Sequence, residues 1–353
     1  MGAAGGNTHQ GIVCSPVARA ARSLMRRLIA SLVFLSCPAT AFAASSLLLV
    51  LAKQDNTLEI VDPASGKILS RIPVGNDPHE VVASADGTRA YASNYGGPRS
   101  SYHTIAQVDL IARKALPPID IAPLHGSHGL AWAGSELYFT AEANKVFGRW
   151  NPATGRVDWI MGTGQDRTHM IELSADLNDI YTGNINSNTV SLFHRVPGNQ
   201  PFTDLWTQTL VPVGEGPEGF DVSPNGKELW AANSHGASVS IVDLATAKVT
   251  ATIPVGTGQS NRLRFTPDGK HAFISDLRTG DLVILDAASR QIVKRLKLGR
   301  SAAGILMVPE RNCAYVALSA DNRLDVIDLS TLEVKGHIAT GRGPDGMAWV
   351  HGR

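Results

Sequence analysis

This sequence has no marked excess of either positive or negative charge, and it has few aromatic side chains. Of 353 residues, 32 are Lys or Arg, 31 are Asp or Glu, and 6% are aromatic. Proteins that bind nucleic acids rely on basic patches that neutralise phosphates, and single-strand binders add aromatic side chains that stack on bases. The composition excludes a general polyanion-coating role, and we expect no nucleic-acid partner.

Local catalytic motifs are missing as well. The sequence has no Gly-x-Ser-x-Gly elbow, no phosphate-binding P-loop, no Cys-x-x-Cys-His haem motif and no EF-hand loop. Any chemistry must therefore come from residues that are distant in the sequence and that the fold brings together.

Apolar runs are too short for a transmembrane segment, but the N-terminus has the pattern of an export signal. Basic residues at Met25-Arg26-Arg27 precede the apolar stretch 28–35 and the small-residue site Ala41-Phe42-Ala43. We predict that residues 1–43 are a signal peptide, with Met25 as an alternative start, and that the protein is periplasmic or secreted. A lipoprotein anchored at Cys37 is the less favoured alternative, because Leu35 lies one place too close and Pro38 follows.

Cysteine is nearly absent. Of three cysteines, Cys14 and Cys37 lie in the predicted signal, so Cys313 remains alone and an internal disulfide is excluded. Four of the 32 basic residues also lie before position 44, which leaves 28 basic against 31 acidic side chains.

A short phrase recurs seven times after residue 75: a turn, one residue at a fixed register, then a strand. The register residues are His79, His128, His169, Glu218, Asn261, Ala303 and Asp345. Spacings in the forties, with turn residues between alternating strands, are typical of propeller blades.

The copy that starts at Val213 contains four short alternating strands joined by Gly, Asn and Pro turns. The sequence therefore predicts an all-β, seven-bladed propeller of four-stranded antiparallel blades, occupying residues 44–353 as a single domain. The last copy has room for one strand, Met347 to Val350, so strands from about residue 46 to 74 should complete blade seven.

Phrases such as IPVGNDPHEVVASADGTRAYASN and VPVGEGPEGFDVSPNGKELWAAN resemble YVTN-type β-propeller repeats from about residue 46 onward. This family occurs in many secreted and cell-envelope bacterial proteins. The resemblance implies a propeller, but it leaves function open, because propellers include binding proteins, hydrolases, lyases and redox subunits. Blade two departs from the pattern at AWAGSEL, and blade six has apolar Ala303 and Leu318 where other blades are mostly polar.

The register residues should face a common channel. His79, His128, His169 and Glu218 come from successive blades, and three imidazoles with a carboxylate are a ligand set for zinc, copper or iron. A metal-free polar pocket and a merely solvated channel lining are the alternatives. Asn261 and Asp345 belong to the same ring.

Two further sets of side chains are expected near the channel mouth. Fifteen residues after a register position, where the second strand returns to the same face, stand Asn94, Asn184, Asn233 and Asp276. They either contribute to the site or hold turns through local bonds. Arginines in the turns of blades five to seven, Arg262, Arg300 and Arg342, would favour an anion if they lean inward.

Two classes of function follow. The first is an exported recognition module, expected to be a monomer, that binds a small, anionic ligand or a partner protein at the top-face channel mouth. The alternative is a metal-assisted or histidine-based enzyme, for which the family resemblance allows a lyase, a lactone hydrolase or an oxidoreductase accessory.

Overall fold

The computed structural model describes residues 46–97, 100–196, 198 and 205–352. The predicted export signal, including Cys37, lies outside this range. The described chain forms seven four-stranded antiparallel sheets with no α-helix, so the prediction of an all-β seven-bladed propeller is confirmed. No helix within the described residues has the length and apolar character needed to cross a membrane.

In each blade the first-named strand is the innermost, and the other three follow outward. Blade one contains Pro78–Ala83, Arg89–Asn94, Thr104–Asp109 and Lys114–Asp120, and blade two contains Ser127–Ala133, Glu136–Ala141, Val146–Asn151 and Arg156–Gly162. Blade three contains Thr168–Leu173, Asp179–Asn184, Thr189–Val196 and Leu205–Pro212, and blade four contains Pro217–Val222, Glu228–Asn233, Ser238–Asp243 and Lys248–Pro254. Blade five contains Ser260–Phe265, His271–Asp276, Asp281–Asp286 and Ile292–Lys297, and blade six contains Ala302–Val308, Cys313–Leu318, Arg323–Asp328 and Val334–Ala339. Blade seven contains Pro344–Val350, Leu47–Ala52, Thr57–Asp62 and Lys67–Pro73.

Short elements fill some of the connections. The strands Gly96–Gly97 and Ser100–Ser101 pair within the long loop of blade one. Single turns of 3-10 helix occupy Lys53–Asp55, Glu142–Asn144, Ile185–Ser187 and Pro309–Arg311.

The turn between the first two strands of a blade is held by its own side chains. In blade one, the Ser84 hydroxyl donates to Asp86 Oδ1 at 2.6 Å and accepts from the Arg89 amide at 3.0 Å. Ser174 and Asp176 repeat the first of these bonds in blade three, at 2.7 Å. These local bonds explain why a Ser-x-Asp or similar phrase follows each innermost strand in most copies.

Blade seven closes the ring with both ends of the described chain. Its innermost strand pairs antiparallel with the strand that starts at Leu47, in the register Leu47 to Val350 and Leu49 to Ala348. The terminal strands therefore leave no unpaired edge at the seam, as predicted.

The core is divided among the blade interfaces. Buried apolar side chains of the described residues form seven clusters, and each cluster combines two adjacent blades. At the seam, for example, Leu49 and Leu58 of blade seven pack in one cluster with Val81 and Ala92 of blade one. Each blade is stabilised mainly by its two neighbours, and the channel lies where all seven innermost strands meet.

Candidate functional site

In every blade, a β-bulge between the two innermost strands lies at the register residue. The pairing between the two innermost strands shifts at this point: in blade one, Pro78 pairs with Asn94 but the next pair is Val81 with Ala92. The same shift occurs in the other six blades. Such a bulge turns a side chain out of the regular alternation. It allows register side chains of neighbouring blades to contact one another across the channel mouth.

The three predicted histidines form a continuous row. His79 Nδ1 lies 2.9 Å from His128 Nε2, and the two rings meet edge to face with centroids 4.8 Å apart. The rings of His128 and His169 are stacked with centroids 3.6 Å apart. His128 and His169 are 2% and 3% exposed. The structure therefore brings these three residues together as the sequence predicted.

A carboxylate stands at each end of the row, and neither was predicted from the sequence. Asp77 Oδ1 lies 3.2 Å from His79 Nε2. At the other end, Glu142 Oε1 pairs with His169 Nδ1. Tyr95 also donates its hydroxyl proton to Glu142 Oε2 at 2.7 Å. Two imidazoles are thus oriented by carboxylates, which is the arrangement that fixes the tautomer of a histidine.

The environment keeps these carboxylates ionised. Burial acts to raise the pKa of Glu142, but the hydrogen bonds from His169 and the Tyr95 hydroxyl and the charge of Arg167 act against it, and the pKa is lowered. Burial likewise opposes ionisation of Asp77, but the hydrogen bond from His79 and the charge of Lys53 act against it, and its pKa is lowered.

The middle imidazole is held neutral. Burial, together with the nearby charges of Lys53 and Arg167, places the pKa of His128 well below its ordinary value.

The opposite side of the mouth contains ion pairs. Lys53 Nζ lies 2.9 Å from Asp345 Oδ2. Burial acts to raise the pKa of Asp345, but the charges of Lys53 and Arg262 outweigh it and lower that pKa. Glu218 does not join the imidazoles as predicted, because its Oε1 accepts a 2.7 Å hydrogen bond from Asn261 Nδ2.

Arg262 is the one predicted arginine that enters the channel. It is 4% exposed, and its Nη2 pairs with Glu80 Oε1. Because Arg262 belongs to blade five and Glu80 to blade one, this ion pair spans the channel below the register ring.

Arg300 and Arg342 lie outside the mouth. Their side chains are 74% and 65% exposed, and each binds a carboxylate of a neighbouring top-face turn: Asp321 at 2.7 Å for Arg300 and Asp55 at 2.7 Å for Arg342. The structure does not bring them to the histidines. Of the three arginines that would favour an anion by leaning inward, only Arg262 does so.

The polar residues at the second-strand ends form hydrogen bonds within their own blades. Asn94 donates to Thr104 at 3.0 Å, Asn184 donates to Ser191 at 2.9 Å, and Asn233 donates to Ser240 at 3.0 Å. Asp276 accepts the amide protons of Gly258 and Gln259 at 2.6 and 2.9 Å. All four are buried. Asp276 therefore makes the backbone bonds of the turn-holding alternative, whereas the three asparagines bond to hydroxyls of the third strand, and none of these bonds involves an imidazole.

The residues directly after those strand ends lie at the mouth instead. In all seven blades the backbone amide at this position donates to the carbonyl oxygen two residues before the register residue, as Tyr95 does to Asp77 and Glu142 does to Gly126. The seven residues are Lys53, Tyr95, Glu142, Ile185, Ser234, Leu277 and Ser319.

The sequence held a partial signal for this second ring. Tyr95 directly follows Asn94, so counting one position further along the strand would have identified it. The same count does not find Glu142. The turn in AWAGSEL shortens the first hairpin of blade two by two residues relative to that of blade one.

Several buried polar atoms at the mouth have no hydrogen-bond partner among the described residues. They are His128 Nδ1, His169 Nε2, Ser234 Oγ, Asn261 Oδ1, Arg262 Nη1 and Asp345 Oδ1. Buried polar atoms are costly unless they are satisfied, so these atoms mark where a ligand or water would bind.

The donor atoms do not form a metal centre. Among the described residues, no group of three or more His, Cys, Asp and Glu side chains is arranged to hold a metal ion. The imidazole nitrogens of His79 and His128 face each other in a hydrogen bond, and the His128 and His169 rings are stacked rather than directed at one point. The predicted set of His79, His128, His169 and Glu218 is therefore not assembled as a zinc, copper or iron site in this structure.

A second polar cluster lies at the opposite end of the innermost strands. A cavity of about 360 Å³ is lined by Trp132, Glu172, Asp221 and Arg264, among others. Arg264 Nη1 lies 3.4 Å from Asp221 Oδ1. Burial and the nearby Asp221 charge raise the pKa of Glu172 to about 8. This cluster was not predicted from the sequence, because Glu172 and Asp221 occupy ordinary positions in alternating strands.

Comparison with known proteins supports the fold. No protein-family model matches the chain, and no curated protein matches it in sequence. Among solved structures, a candidate 6-phosphogluconolactonase from Bacteroides fragilis superposes with a TM-score of 0.70 at 16% identity, covering 89% of this chain and 99% of its own. A protein of unknown function from Desulfotomaculum acetoxidans gives a TM-score of 0.68 at 15% identity over 87% of this chain and 99% of its own.

Hydrazine synthase from Kuenenia stuttgartiensis is more distant, with a TM-score of 0.63 at 18% identity over 77% of this chain and 89% of that chain. At these identities the likeness establishes the seven-bladed propeller fold and no activity. The YVTN assignment stays a resemblance of sequence.

Proposed function

We propose that this chain is an exported recognition module that binds a small polar ligand at the top-face mouth of its channel. The observation that carries the proposal is the set of buried polar atoms at the channel mouth that have no partner among the described residues, above all His128 Nδ1 and His169 Nε2. Convergent polar groups in a concave site are the usual mark of a ligand-binding position.

An anionic ligand has less support than the sequence suggested. That expectation depended on three arginines, of which Arg300 and Arg342 lie on the surface and Arg262 is already paired with Glu80. The proposal therefore keeps the site and the small size of the ligand, but not its negative charge.

The test is a binding screen with a double variant. We expect ligand-observed NMR, using a panel of small carboxylates, phosphates, amines and polyols, to find binders of the unmodified protein that fail to bind a His128→Ala/His169→Ala chain. Arg300→Ala is the matched control, because it changes an exposed side chain of the same face. Binders that are retained by the double variant would contradict the proposal.

Stability must be measured alongside binding. Removing the two imidazoles should lower Tm less than Phe139→Ala does, since Phe139 packs in an apolar cluster whereas each buried imidazole carries a ring nitrogen without a partner among the described residues. Truncating a buried aromatic residue costs about 3–5 kcal/mol. A double variant that unfolds more readily than Phe139→Ala would mean that the histidines serve packing.

Lactone hydrolysis is the second candidate, and the Glu142 and His169 pair favours it. A carboxylate that holds Nδ1–H directs the other imidazole nitrogen, Nε2, outward as a general base. His169 could then take a proton from water as the water attacks a lactone carbonyl, and return it to the ring oxygen that leaves as the ester opens. Two solved neighbours are candidate 6-phosphogluconolactonases, but they share only this fold.

A pH-stat assay with γ- and δ-lactones tests this candidate. Turnover that falls about 10²-fold or more in Glu142→Gln, while lactone binding persists, would support it, since general-base catalysis contributes about 10²–10⁴-fold. Absence of turnover with the unmodified protein would exclude lactones as substrates.

Export is part of the proposal. If residues 1–43 are a signal peptide, protein recovered from the cell envelope or medium should begin at or near Ala44. N-terminal sequencing that finds residues before Cys37 on the folded product would contradict export by this route. A lipid on Cys37 would support the lipoprotein alternative.

A further inference from the structure

The positions of protons along the imidazole row follow from the two terminal carboxylates. An ionised carboxylate only accepts hydrogen bonds, so Asp77 requires a proton on His79 Nε2, and Glu142 requires one on His169 Nδ1. In a neutral His79, Nδ1 is then a lone pair. The 2.9 Å contact with His128 Nε2 must carry its proton on His128.

This order of protons leaves lone pairs at the buried nitrogens of the mouth. His128, protonated on Nε2 and neutral, has an acceptor at Nδ1, and a neutral His169 has an acceptor at Nε2. Neither atom has a partner among the described residues. Both residues are more than nine-tenths buried, which makes an unmet acceptor costly.

The other side of the mouth adds acceptors of the same kind. Within the described part of the chain, Asn261 Oδ1 and Asp345 Oδ1 are also without partners, and these residues are 6% and 5% exposed. The row and this side belong to one electrostatic site, since Lys53, which lies 2.9 Å from Asp345, also acts through its charge on His128. Arg262 Nη1 is the exception, a donor without a partner. Ser234 Oγ can donate or accept.

Charges around the mouth also favour a cation. Three cationic side chains stand among five carboxylates: Lys53, Arg167 and Arg262 with Asp77, Glu80, Glu142, Glu218 and Asp345. Each of the three cations already contacts a carboxylate.

We propose that the channel mouth binds a small ligand through a primary ammonium group, whose three N–H donors are shared among the unpartnered acceptors of the mouth: His128 Nδ1, His169 Nε2, Asn261 Oδ1 and Asp345 Oδ1. The inference rests on the proposed binding function and gives it a ligand class. An ammonium group has three donors and no acceptor, so it complements a mouth in which four of the six unpartnered atoms named above are acceptors. A carboxylate or phosphate would face these acceptors with further lone pairs.

Tautomers can be observed directly in the whole protein. In ¹⁵N-histidine-labelled protein at neutral pH, we expect His128 Nδ1 and His169 Nε2 to give the chemical shifts of unprotonated ring nitrogens. Assignment would come from the single variants His128→Gln and His169→Gln. A proton on His128 Nδ1 would reverse the polarity of the central acceptor and overturn the inference.

Ligand class can be tested with three probes of nearly equal size: ethanolamine, ethylene glycol and glycolate. Calorimetric titration should show ethanolamine binding about tenfold or more tightly than glycolate, with ethylene glycol between them. Asp345→Asn should weaken ethanolamine binding about tenfold, whereas Arg342→Gln, at an exposed position of the same face, should leave it unchanged. If the Asp345→Asn chain fails to fold, the comparison of the three probes on the unmodified protein still tests the inference.

The outcomes separate this inference from the proposed function. Equal binding of the three probes, or binding of none, contradicts the ammonium inference. Glycolate binding that shifts the His128 and His169 resonances would overturn the inference and leave a recognition site at the mouth. If no compound of the wider panel perturbs these resonances, the proposed function itself fails.

Discussion

The ionisation of one side chain, Glu172, makes the stability of the folded state depend on pH. Burial and the Asp221 charge raise its pKa to about 8, whereas an unfolded chain would ionise it near 4.5. Between these values the folded state holds a proton that the unfolded state has released. Stability therefore falls as pH rises toward 8 and changes no further above it. The low pKa of His128 acts in the opposite direction, but only below about 6.5.

The first prediction concerns Glu172→Gln. Its Tm should exceed that of the unmodified protein at pH 8.5, and the fall in Tm between pH 6.5 and 8.5 should become smaller, because a neutral amide has no proton to lose. Calorimetric scans across this range provide the measurement. Glu215→Gln, at an exposed glutamate, should change neither quantity.

Some pH dependence will persist in Glu172→Gln, since Asp221 is coupled to Glu172 and its own pKa is also raised. An unchanged slope, or a lower Tm at pH 8.5, would mean that Glu172 is ionised in the folded protein.

At the scale of single elements, one threonine joins two blades beneath the histidine row. Thr140, fully buried in the second strand of blade two, accepts the Gly129 amide proton at 2.8 Å and donates to the His169 carbonyl oxygen at 2.9 Å. The Gly129 amide lies at the bulge, where regular pairing cannot satisfy it. Ser275 makes the equivalent pair of bonds between blades five and six.

The second prediction is that Thr140→Val lowers stability by about 1–3 kcal/mol, because it leaves a buried amide and a buried carbonyl without partners. Chemical denaturation measures this loss. Thr140→Ser is the matched control, since it keeps the hydroxyl. The valine variant should also weaken ethanolamine binding by displacing the His169 backbone, and equal stability of the two variants would refute the role of the hydroxyl.

The elements themselves were predictable from sequence, and the orientation of the site was predictable in part. Strict alternation and turn phrases at a period in the forties determine the blade count, and the bulge at each register position brought His79, His128 and His169 together as counted. Asp77 and Glu142 were missed because their roles depend on backbone geometry: Asp77 lies in the turn before a counted residue, and Glu142 begins the turn after a strand end. Arg300 and Arg342 were expected inward, yet nearby carboxylates hold them at the surface.

At the scale of the whole molecule, the ring is closed only at blade seven. Its innermost strand, Pro344–Val350, is separated in sequence from its three partner strands by the other six blades. Leu48 and Leu49, fully buried in the adjacent strand, depend on this strand for their cover. Closure also positions Asp345 opposite Lys53, so the channel mouth is complete only when the two ends meet.

The third prediction follows from this closure. A chain that lacks residues 346–353 should lose cooperative unfolding or fall in Tm by far more than a single core substitution, because the edge of the Leu47–Ala52 strand becomes unpaired and both interfaces of blade seven weaken. A chain that ends at Val350 keeps the strand and should melt within a few degrees of the unmodified protein. Calorimetry gives Tm, and light scattering detects association through the exposed edge. If the shorter chain instead melts like the one that ends at Val350, the six remaining blades hold the ring without the seam. Stability would then have to reside in each blade pair rather than in closure.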